Sequence, residues 1–594
     1  MKTRHLGNRM THHRTLWASV VLISTLGLGL LGLPSARAVE AEVFSKHVVS
    51  AQEGHAADAG RDAMRKGGNA IDAAIATAFA LAVTLPEAGN LGGGGFIVAR
   101  LPETDEVVTL DFREAAPGSA TPRMYLNDEG ELLPRYRDGA WAAGVPGTVR
   151  GLGLAHARWG KLPWRDLVAP AVKLAREGFE ISTDLANGLN GQLRPRKDAD
   201  NANARFRGRM ADFPESVAAF GKPDGSLWKE GDRLVQPDLA ATLERIAANG
   251  PDEFYNGRTA ELIAAYMTEN GGQITLADLA AYRVKERPPV KTTYRGYDVY
   301  GMGPVASGGI VLCQALNILE RYDLKADGPQ SPRTLHRVTE AMRRAYYTRA
   351  AAIADPDFVD VPVAELVSKA HADELAASID DDKATPSASL APFPIITTES
   401  DHTTHFSTID ADGMAVALTY TLEESYGAKA VVKGAGFLLN NEMGDFNLRP
   451  GRTDDAGSIG TIPNQIAPGK RMLSSMCPTI AMKDGKVVLV TGSPGGRTIP
   501  NTTLWVVLNV LEFGLDAQAA VAAPRTHHQW FPDVLSLEGK DWPEETLKAL
   551  TDMGHALRTG GRQGNANSIL VDPATGLRHG AADPRRTTTK ASGD

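Results

Sequence analysis

The chain has 594 residues, of which 43% are hydrophobic and 23% are charged, and its formal net charge at pH 7 is −8. These values are typical of globular proteins and exclude disordered, collagen-like and coiled-coil chains, while the length permits two domains or one large interleaved fold. An acidic balance without basic runs argues against nucleic acid or an anionic membrane surface as a partner.

The first 38 residues have the order of a secretory signal peptide. Basic residues precede an apolar run at residues 16–33, and the sequence ARA at residues 36–38 offers a cleavage site. An uncleaved membrane anchor is the alternative, but serines and glycines interrupt the apolar run. We therefore expect a periplasmic or secreted protein that keeps no membrane contact once the signal is removed.

Two helices and two strands are predicted in the first part of the mature chain. Residues 61–85 are rich in alanine, and a pair of glycines divides them into two helices, the second capped by Asn69. The glycine-rich loop at residues 86–95 leads into a buried strand at residues 96–99. A second strand follows at residues 107–112.

The segment at residues 384–402 is rich in proline, serine and threonine. We expect it to be extended and exposed rather than helical. The composition changes abruptly just before Thr403.

A β-hairpin is predicted directly after this change. Residues 403–409 and 414–422 read as strands around a turn. Pairing Ile409 with Met414 across the turn sets the register. Thr403 then faces Tyr420, and Thr421 lies beside the start of the first strand.

Thr403 is a candidate nucleophile. A threonine hydroxyl is weak, and one way to activate it is to make the residue the first of a chain, so that its α-amine accepts the proton. An α-amine titrates near about pH 8, so much of it is neutral at working pH. Thr403 meets this condition only if the bond after His402 is broken. On spacing alone an ordinary strand threonine is favoured, because threonine is common in strands.

Two glycine-rich segments can each be interpreted in two ways. Residues 92–95 lack the spaced order of a phosphate-binding loop, so a close backbone approach is favoured. The sequence GSPGG at residues 492–496 follows a strand at residues 487–491 and only loosely resembles a serine-hydrolase elbow. Consecutive glycine amides there suit an oxyanion hole better.

Several polar side chains form a set that could bind an α-amino acid head group. They are the carboxylates of Glu442 and Asp445, the hydroxyls of Ser474 and Ser475, and the guanidinium of Arg113. Taken singly, each is more often a solvated or structural group.

No strong metal motif is present, because the sequence has neither Cys-x-x-Cys nor His-Glu-x-x-His. Cys313 and Cys477 are too few for a disulfide framework, although an oxidising compartment would permit one bridge. We expect both to be buried thiols. The histidine pairs at residues 402 and 405 and at residues 527 and 528 are interpreted as structural.

The order and spacing of several segments resemble the γ-glutamyltransferase family over residues from about 45 to about 586. The segments are GGNAIDAA (67–74), GNLGGGGF (89–96), DFRE (111–114), DHTTHFS (401–407), LLNNEMGDF (438–446), LSSMCPTI (473–480), GSPGG (492–496) and DPR (583–585). The resemblance implies a mixed α/β fold, a four-layer αββα sandwich of the N-terminal-nucleophile (Ntn) hydrolase type.

The resemblance also implies a precursor that cuts itself before Thr403. A signal peptide at residues 1–38, a large subunit at 39–402 and a small subunit at 403–594 would result. The two subunits would stay interleaved as one structural unit.

The catalytic roles implied by the resemblance concern four residues. Thr403 is the nucleophile, and Thr421 hydrogen-bonds to it and tunes it. Gly495 and Gly496 supply the oxyanion-hole amides. Glutathione or another γ-glutamyl compound forms a γ-glutamyl-enzyme, which passes its acyl group to water, an amino acid or a peptide. No cofactor or metal is implied.

The recognition roles implied by the resemblance divide the polar set in two. Arg113, Ser474 and Ser475 would hold the α-carboxylate of the donor. Glu442 and Asp445 would take its α-ammonium group.

Two positions depart from the family pattern. Glu423 stands where many members carry an asparagine that contacts the donor's amino group, so binding should survive with altered selectivity. Ala456 stands in the lid at residues 450–469, where some members place a tyrosine gate.

Three different functions remain open. An acylase of the same fold would cleave glutaryl or similar side chains from β-lactams, and a further relative would act on poly-γ-glutamate. An inactive secreted binding protein would keep the fold without chemistry. The intact Arg113, Glu442 and Asp445 favour a γ-glutamyl donor over a glutaryl one. The balance of hydrolysis and transfer, the acceptor and the oligomeric state stay open.

Overall fold

The computed structural model describes residues 40–194, 209–390, 403–452 and 461–594. The predicted signal peptide, His402 and Ala456 lie outside these ranges. The residues within these ranges form one unit, as expected for a single interleaved fold. Within the described ranges, no helix is long and apolar enough to cross a membrane.

The strands are short and are spread over the whole of the described chain. They are β1 Glu42–Phe44, β2 Val48–Ala51, β3 Gly94–Leu101, β4 Glu106–Asp111, β5 Phe179–Glu180, β6 Arg233–Leu234, β7 Lys285–Arg287, β8 Val290–Tyr294, β9 Tyr297–Gly301, β10 Thr403–Ile409, β11 Ala415–Thr421, β12 Thr479–Lys483, β13 Lys486–Thr491, β14 Thr526–His527, β15 Leu535–Leu537, β16 Leu557–Thr559, β17 Ser568–Val571, β18 Arg578–Ala581 and β19 Lys590–Gly593.

The helices vary from single turns to the long helix α13. They are α1 Gly54–Arg65, α2 Ala70–Thr84, α3 Thr148–Trp159, α4 Trp164–Glu177, α5 Thr183–Leu193, α6 Pro214–Phe220, α7 Pro237–Asn249, α8 Asp252–Asn256, α9 Arg258–Glu269, α10 Leu276–Ala281, α11 Gly308–Leu319, α12 Leu324–Asp327, α13 Pro332–Ala352, α14 Val363–Leu366, α15 Lys369–Ala377, α16 Thr498–Leu511, α17 Ala517–Ala522 and α18 Glu544–Asp552.

Two seven-stranded antiparallel sheets form the centre of the molecule. The first sheet has the order β19-β2-β10-β11-β3-β4-β7, and the second has the order β1-β18-β17-β13-β12-β9-β8. Helices α1 and α2 contact the first sheet, and α11 and α16 contact the second. Strands of the two sheets also contact each other.

Alternation along β11 explains this packing. Val416, Leu418 and Tyr420 belong to the apolar cluster that includes α2. Ala415 and Ala417 belong to the cluster that includes strands of the second sheet. Successive side chains of a strand point to opposite faces, so β11 is covered on both sides, as a sandwich of helices and sheets requires.

The predicted helix pair is present, although α1 begins at Gly54 rather than near residue 61. Gly67, with φ of +94°, ends the first helix. Asn69 caps α2 through a reciprocal pair of hydrogen bonds with Asp72. Every residue of α2 is buried, because small alanine faces let it pack on all sides. Strands β3 and β4 are at the predicted places.

The hairpin of β10 and β11 is present, but the predicted register is wrong by one residue. Ile409 pairs with Ala415, and Thr403 lies directly opposite Thr421 rather than Tyr420. The Asp410 carboxylate accepts hydrogen bonds from the N–H groups of Asp412 and Met414, both at 3.0 Å. These bonds draw Met414 into the turn and shift the pairing.

The segment before Thr403 also differs from its prediction where it is described. Residues Ser387–Leu390 form a turn of 3-10 helix, and Ser387 is fully buried. The backbone N–H of Ser387 donates to Asp533 at 2.7 Å, and its carbonyl accepts from the Trp530 indole at 2.8 Å. These contacts hold part of the segment against the core.

Both cysteines are free and buried, as predicted. Burial raises the pKa of the Cys477 thiol to about 12 and also raises that of Cys313. Neither thiol is therefore ionised at neutral pH, which excludes them as thiolate nucleophiles.

Candidate active site

Thr403 is the first residue of β10, a central strand of the first sheet. Its exposed fraction is only 7%, and Thr421 lies across from it at the end of β11. The carbonyl of Thr421 accepts a hydrogen bond from the Asn90 side chain at 2.8 Å. The Asn90 carboxamide oxygen in turn accepts from Gly93 and Thr148. The glycine-rich loop therefore acts as a close backbone support for the threonine pair.

The glycine loop at residues 492–496 connects β13 to the start of α16. Gly495 has φ of +130° and Gly496 has φ of +53°, conformations that favour glycine. A Cβ on Gly495 would lie 2.4 Å from the Thr498 hydroxyl. The loop leads into a helix N-terminus, where the backbone dipoles favour negative charge. Both features suit the stabilisation of an oxyanion.

Ser493 within this loop does not have the setting of a nucleophile. It is fully buried, and its hydroxyl donates to the carbonyl of Pro494 at 2.7 Å and accepts from the N–H of Asn565 at 2.9 Å. A serine-hydrolase elbow at this segment is therefore disfavoured.

One small pocket brings together all the site residues predicted from the sequence except Gly495. Its lining comprises Arg113, Thr403, Thr421, Glu423, Glu442, Asp445, Ser474, Ser475 and Gly496, with Met476 and Ile499 in addition. Three distant parts of the chain contribute the charged groups. Met476 and Ile499 were not predicted, although each lies close in sequence to a predicted residue.

Arg113 is the charge centre of the pocket and is almost fully buried. Its guanidinium lies 2.7 Å from a Glu442 oxygen, forms an ion pair with Asp445, and lies 3.6 Å from Glu114. Although burial alone favours the neutral form, these three carboxylates raise the pKa of Arg113. The residues predicted to bind the two ends of a zwitterion are thus paired with each other.

The carboxylates around Arg113 are crowded. Burial is the largest cause that raises the pKa of Glu442 well above its usual value, and the attraction of Arg113 opposes it. Burial likewise raises the pKa of Glu114 to about 8. Glu114 was not among the predicted site residues, although it directly follows Arg113. An incoming cationic group would find several acidic side chains in one place.

Glu423 extends this acidic group toward Thr421. It has φ of +80°, and the Asn441 side-chain amide donates to its carboxylate. Burial, followed by the charges of Glu424 and Asp445, raises the pKa of Glu423 well above its usual value. Glu423, which departs from the family pattern, therefore lines the pocket with a carboxyl group that is protonated more readily than an exposed glutamate.

The cavity that remains between these side chains is about 20 Å³. That volume holds about one water molecule. A ligand with a carboxylate and an ammonium group would therefore have to replace the contacts between Arg113 and its carboxylates by its own charged groups.

One group of metal-ligating side chains lies together in the described ranges, away from this pocket. His336, Glu340 and His555 are all buried, and the two imidazoles are hydrogen-bonded at 2.8 Å. The Glu340 oxygens are paired with Arg343 at 3.1 Å and Arg344 at 2.6 Å. A cation here would meet two guanidinium groups, so the contacts favour a structural role.

Comparisons with known proteins relate the chain to one family of enzymes. The sequence profile of the family described as gamma-glutamyltranspeptidase matches residues 56–593. The glutathione hydrolase proenzyme of Escherichia coli strain K12 is 44% identical over 568 residues, which cover 94% of this chain and 95% of that protein. The acylase ACY 1 proenzyme of Pseudomonas sp. strain SE83 is 39% identical over 536 residues, which cover 89% of this chain and 90% of that protein.

A solved structure supports the fold. The cephalosporin acylase from Bacillus halodurans aligns with a TM-score of 0.82 at 27% identity, over 95% of this chain and 98% of that chain. Together with the two antiparallel sheets, this likeness confirms the predicted mixed α/β fold of the Ntn-hydrolase type.

Proposed function

The chain belongs to the γ-glutamyltranspeptidase family, and from this membership and the pocket geometry we propose that it is a self-cleaving γ-glutamyltransferase and glutathione hydrolase. The observation that carries the proposal is one pocket in which Thr403 lies with a buried guanidinium and several carboxylates. That combination suits a donor with an α-carboxylate and an α-ammonium group beside its reacting carbonyl.

Self-cleavage between His402 and Thr403 gives a large chain of residues 39–402 and a small chain of residues 403–594. The position of Thr403 at the beginning of β10 and inside the pocket supports this boundary. The relatives are described as proenzymes, which supports a processed precursor.

The reaction begins when the new α-amine of Thr403 takes the proton of its own hydroxyl, which attacks the γ-carbonyl of the donor. The amides of Gly495 and Gly496 stabilise the oxyanion, and the loss of one such donor typically costs about 3 kcal/mol. The amine half of the donor then leaves with a proton. Water, an amino acid or a peptide next takes the γ-glutamyl group from the threonine oxygen.

Donor recognition uses the two ends of the polar set. Arg113, Ser474 and Ser475 hold the α-carboxylate, while Glu442 and Asp445 take the α-ammonium group. Glu423 adds a further acidic group near Thr421. The donor's own charges replace the ion pairs that close the empty pocket, so binding exchanges one set of ion pairs for another.

An acylase acting on glutaryl side chains is the second candidate. It is favoured by the likeness to the acylase relative and to the cephalosporin acylase structure. A glutaryl group has no α-ammonium, so it would leave Glu442 and Asp445 buried without a cationic ligand group. The γ-glutamyl donor therefore fits the pocket better.

Action on poly-γ-glutamate and a purely binding function have less support. The two relatives described above are a glutathione hydrolase and an acylase, and neither is described as acting on poly-γ-glutamate. An inactive binding protein would have no use for a threonine pair beside a glycine loop.

The signal-like first 38 residues support a periplasmic or secreted location.

The proposal is tested by intact-mass measurement and denaturing electrophoresis of the wild type beside Thr403→Ala. The same samples are assayed with γ-glutamyl-p-nitroanilide and glutaryl-p-nitroanilide. Thr404→Val is the matched control, because Thr404 is the next residue of β10 and does not line the pocket.

We expect the wild type and Thr404→Val to yield two chains, the smaller beginning at Thr403, and to release the anilide from the γ-glutamyl donor. Thr403→Ala should stay whole and inactive. An uncut and inactive wild type would support the binding protein instead. Cleavage with turnover of only the glutaryl donor would support the acylase.

A further inference from the structure

Arg349, near the end of α13, contacts the serine pair of the pocket from within the protein. Its exposed fraction is 2%. Its Nε donates to the Ser307 hydroxyl at 2.9 Å, and a terminal nitrogen donates to the Ser475 hydroxyl at 3.0 Å. Arg349 does not line the pocket itself, so any effect on a ligand must pass through these serines.

We propose that Arg349 is a positioning residue that orients the Ser475 hydroxyl directly and places the Ser474 backbone through Ser307, so that both serines can donate hydrogen bonds to the donor's α-carboxylate. The inference rests on the proposed γ-glutamyl function and adds a specificity determinant to the same pocket. Under this proposal, the preference for a donor with an α-carboxylate depends in part on Arg349, which lies outside the pocket lining.

Ser475 receives its orientation directly from the guanidinium of Arg349. A guanidinium group can only donate, and it stays protonated in proteins. The Ser475 hydroxyl must therefore accept from Arg349, and its own proton points away from the guanidinium. Ser475 lines the pocket, so the geometry prepares this hydroxyl to donate to an anionic group there.

The Ser474 hydroxyl also accepts a hydrogen bond from the protein, in this case from the backbone. This hydroxyl accepts from the N–H of Met476 at 3.2 Å. Its proton is therefore directed elsewhere, and Ser474 also lines the pocket. Both serines thus accept from protein donors, which leaves the pair suited to a carboxylate rather than to an ammonium group.

Ser307 connects Arg349 to the backbone of the serine pair. Because the Ser307 hydroxyl accepts from Arg349, its proton is donated to the carbonyl of Ser474 at 2.6 Å. The backbone N–H of Ser307 donates to the same carbonyl at 2.7 Å. Ser307 precedes the first residue of α11 and is fully buried. Arg349 therefore fixes the hydroxyl direction of Ser475 directly and the backbone position of Ser474 through Ser307.

The test compares two donors that differ only in the α-carboxylate. The first is γ-glutamyl-p-nitroanilide, and the second is 4-aminobutyryl-p-nitroanilide, which keeps the amine and the reacting carbonyl. The variant is Arg349→Met. The matched control is Arg337→Met on the same helix, which removes ion pairs to Asp327 and Asp381 and does not contact the serines.

We expect Arg349→Met to lower kcat/KM for the γ-glutamyl donor about tenfold or more, mainly through KM, because hydrogen bonds to a charged group are lost. The value for the 4-aminobutyryl donor should change less than about twofold on the same reasoning. Arg349→Lys, which keeps a charged donor, should recover part of the discrimination. Arg337→Met should discriminate as the wild type does.

A double-mutant comparison with Ser475→Ala distinguishes a positioning role of Arg349 from a general loss of structure in Arg349→Met. In a Ser475→Ala background, Arg349→Met should have much less effect on the discrimination between the two donors. An equal loss for both donors, or full additivity with Ser475→Ala, would overturn the inference. Ser307→Ala is measured as well, and if Arg349→Met fails to fold or to cleave, unchanged discrimination in both Ser307→Ala and Ser475→Ala overturns the proposal.

These results are distinguishable from a failure of the proposed function. If the wild type does not turn over γ-glutamyl-p-nitroanilide, both the proposed function and the role of Arg349 are contradicted. A wild type that prefers this donor, beside an Arg349→Met variant with the same preference, would remove only the inference.

Discussion

We propose that Thr421 acts on Thr403 rather than on the substrate. The two threonines are directly paired across β10 and β11. The Thr421 hydroxyl accepts from the backbone N–H of Glu423 at 2.9 Å. A hydroxyl that accepts on one side sends its proton to another side, which suits a donor toward the nucleophile oxygen.

Thr421→Ala should therefore lower kcat about tenfold or more with little change in KM, since a hydrogen bond to a developing charge is lost. Thr421→Ser keeps the hydroxyl and should retain most of the activity. Steady-state rates with γ-glutamyl-p-nitroanilide are measured on protein shown by mass to be fully cleaved. Equal losses in both variants would instead point to the packing of the Thr421 methyl group.

Glu423 should make donor binding depend on pH. Burial and the charges of Glu424 and Asp445 raise the pKa of Glu423, so its carboxyl in the empty pocket tends to be protonated and neutral. An α-ammonium group prefers the ionised form. As pH rises through this raised pKa, the carboxylate forms, and KM for the γ-glutamyl donor should fall.

Glu423→Gln should flatten this fall in KM over the range below about pH 7, where the donor amine stays largely charged. Initial rates over that range give KM separately from kcat, which also reports the α-amine of Thr403. Glu544→Gln, at the start of the distant helix α18, is the control. A wild-type slope that persists in Glu423→Gln would assign the titration to Glu442 or Glu114.

At the residue scale, the sequence predicted which side chains meet but not how they are paired. Arg113, Glu442 and Ser474 come from three separate segments; their chemistry suggested one set for an α-amino acid head group, and the resemblance gave each residue its role. The resemblance assigned Arg113 and Glu442 to opposite ends of a ligand. In the empty pocket they neutralise each other, because buried charges need partners. Arg349 had no local signal, since its contact with Ser475 depends on the tertiary fold.

At the scale of elements, the hairpin shows what a strand pattern can and cannot predict. The alternation of side chains identified both strands almost to the residue. The register depends on the turn, where a side chain replaces backbone hydrogen bonds. A pattern of apolar residues cannot predict that the Asp410 carboxylate accepts a hydrogen bond from the N–H of Met414. A shift of one residue was enough to exchange Tyr420 for Thr421.

Asp410 also connects this turn to the neighbouring helix, because its second carboxylate oxygen accepts from the N–H of Ala70 at the start of α2 at 3.0 Å. Asp410→Ala should lower the free energy of unfolding by about 2 kcal/mol or more, since buried N–H groups lose their acceptor. Thermal and urea unfolding are compared in the Thr403→Ala background, so that the extent of cleavage is equal.

Asp412→Ala is the matched control for this prediction, because Asp412 is exposed in the same turn. It should change the stability by less than about 0.5 kcal/mol. Asp410→Asn, which keeps one acceptor oxygen, should fall between the two. Equal stabilities for Asp410→Ala and Asp412→Ala would contradict the proposed role of the turn.

At the scale of the whole molecule, strands from both sides of the proposed cleavage point share each sheet. In the first sheet, β10 and β11 lie between β2 and β3, and β19 lies at the edge beside β2. In the second sheet, β18 pairs with β1, and β12 pairs with β9. Local patterns could not predict this order, because each pairing joins distant parts of the chain. The family resemblance predicted interleaved subunits, which this arrangement supports.

The two chains should therefore remain together after cleavage and separate only when the fold is lost. Their contacts are backbone ladders and apolar clusters that contain residues of both chains, and neither kind of contact is weakened by screening of charge. Size-exclusion chromatography in about 1 M salt should give one complex with both chains, since screening there acts within about 3 Å. In guanidinium, separation should coincide with the loss of the circular dichroism signal. Chains that separate while that signal is still native would show that the cut divides the molecule into independent units.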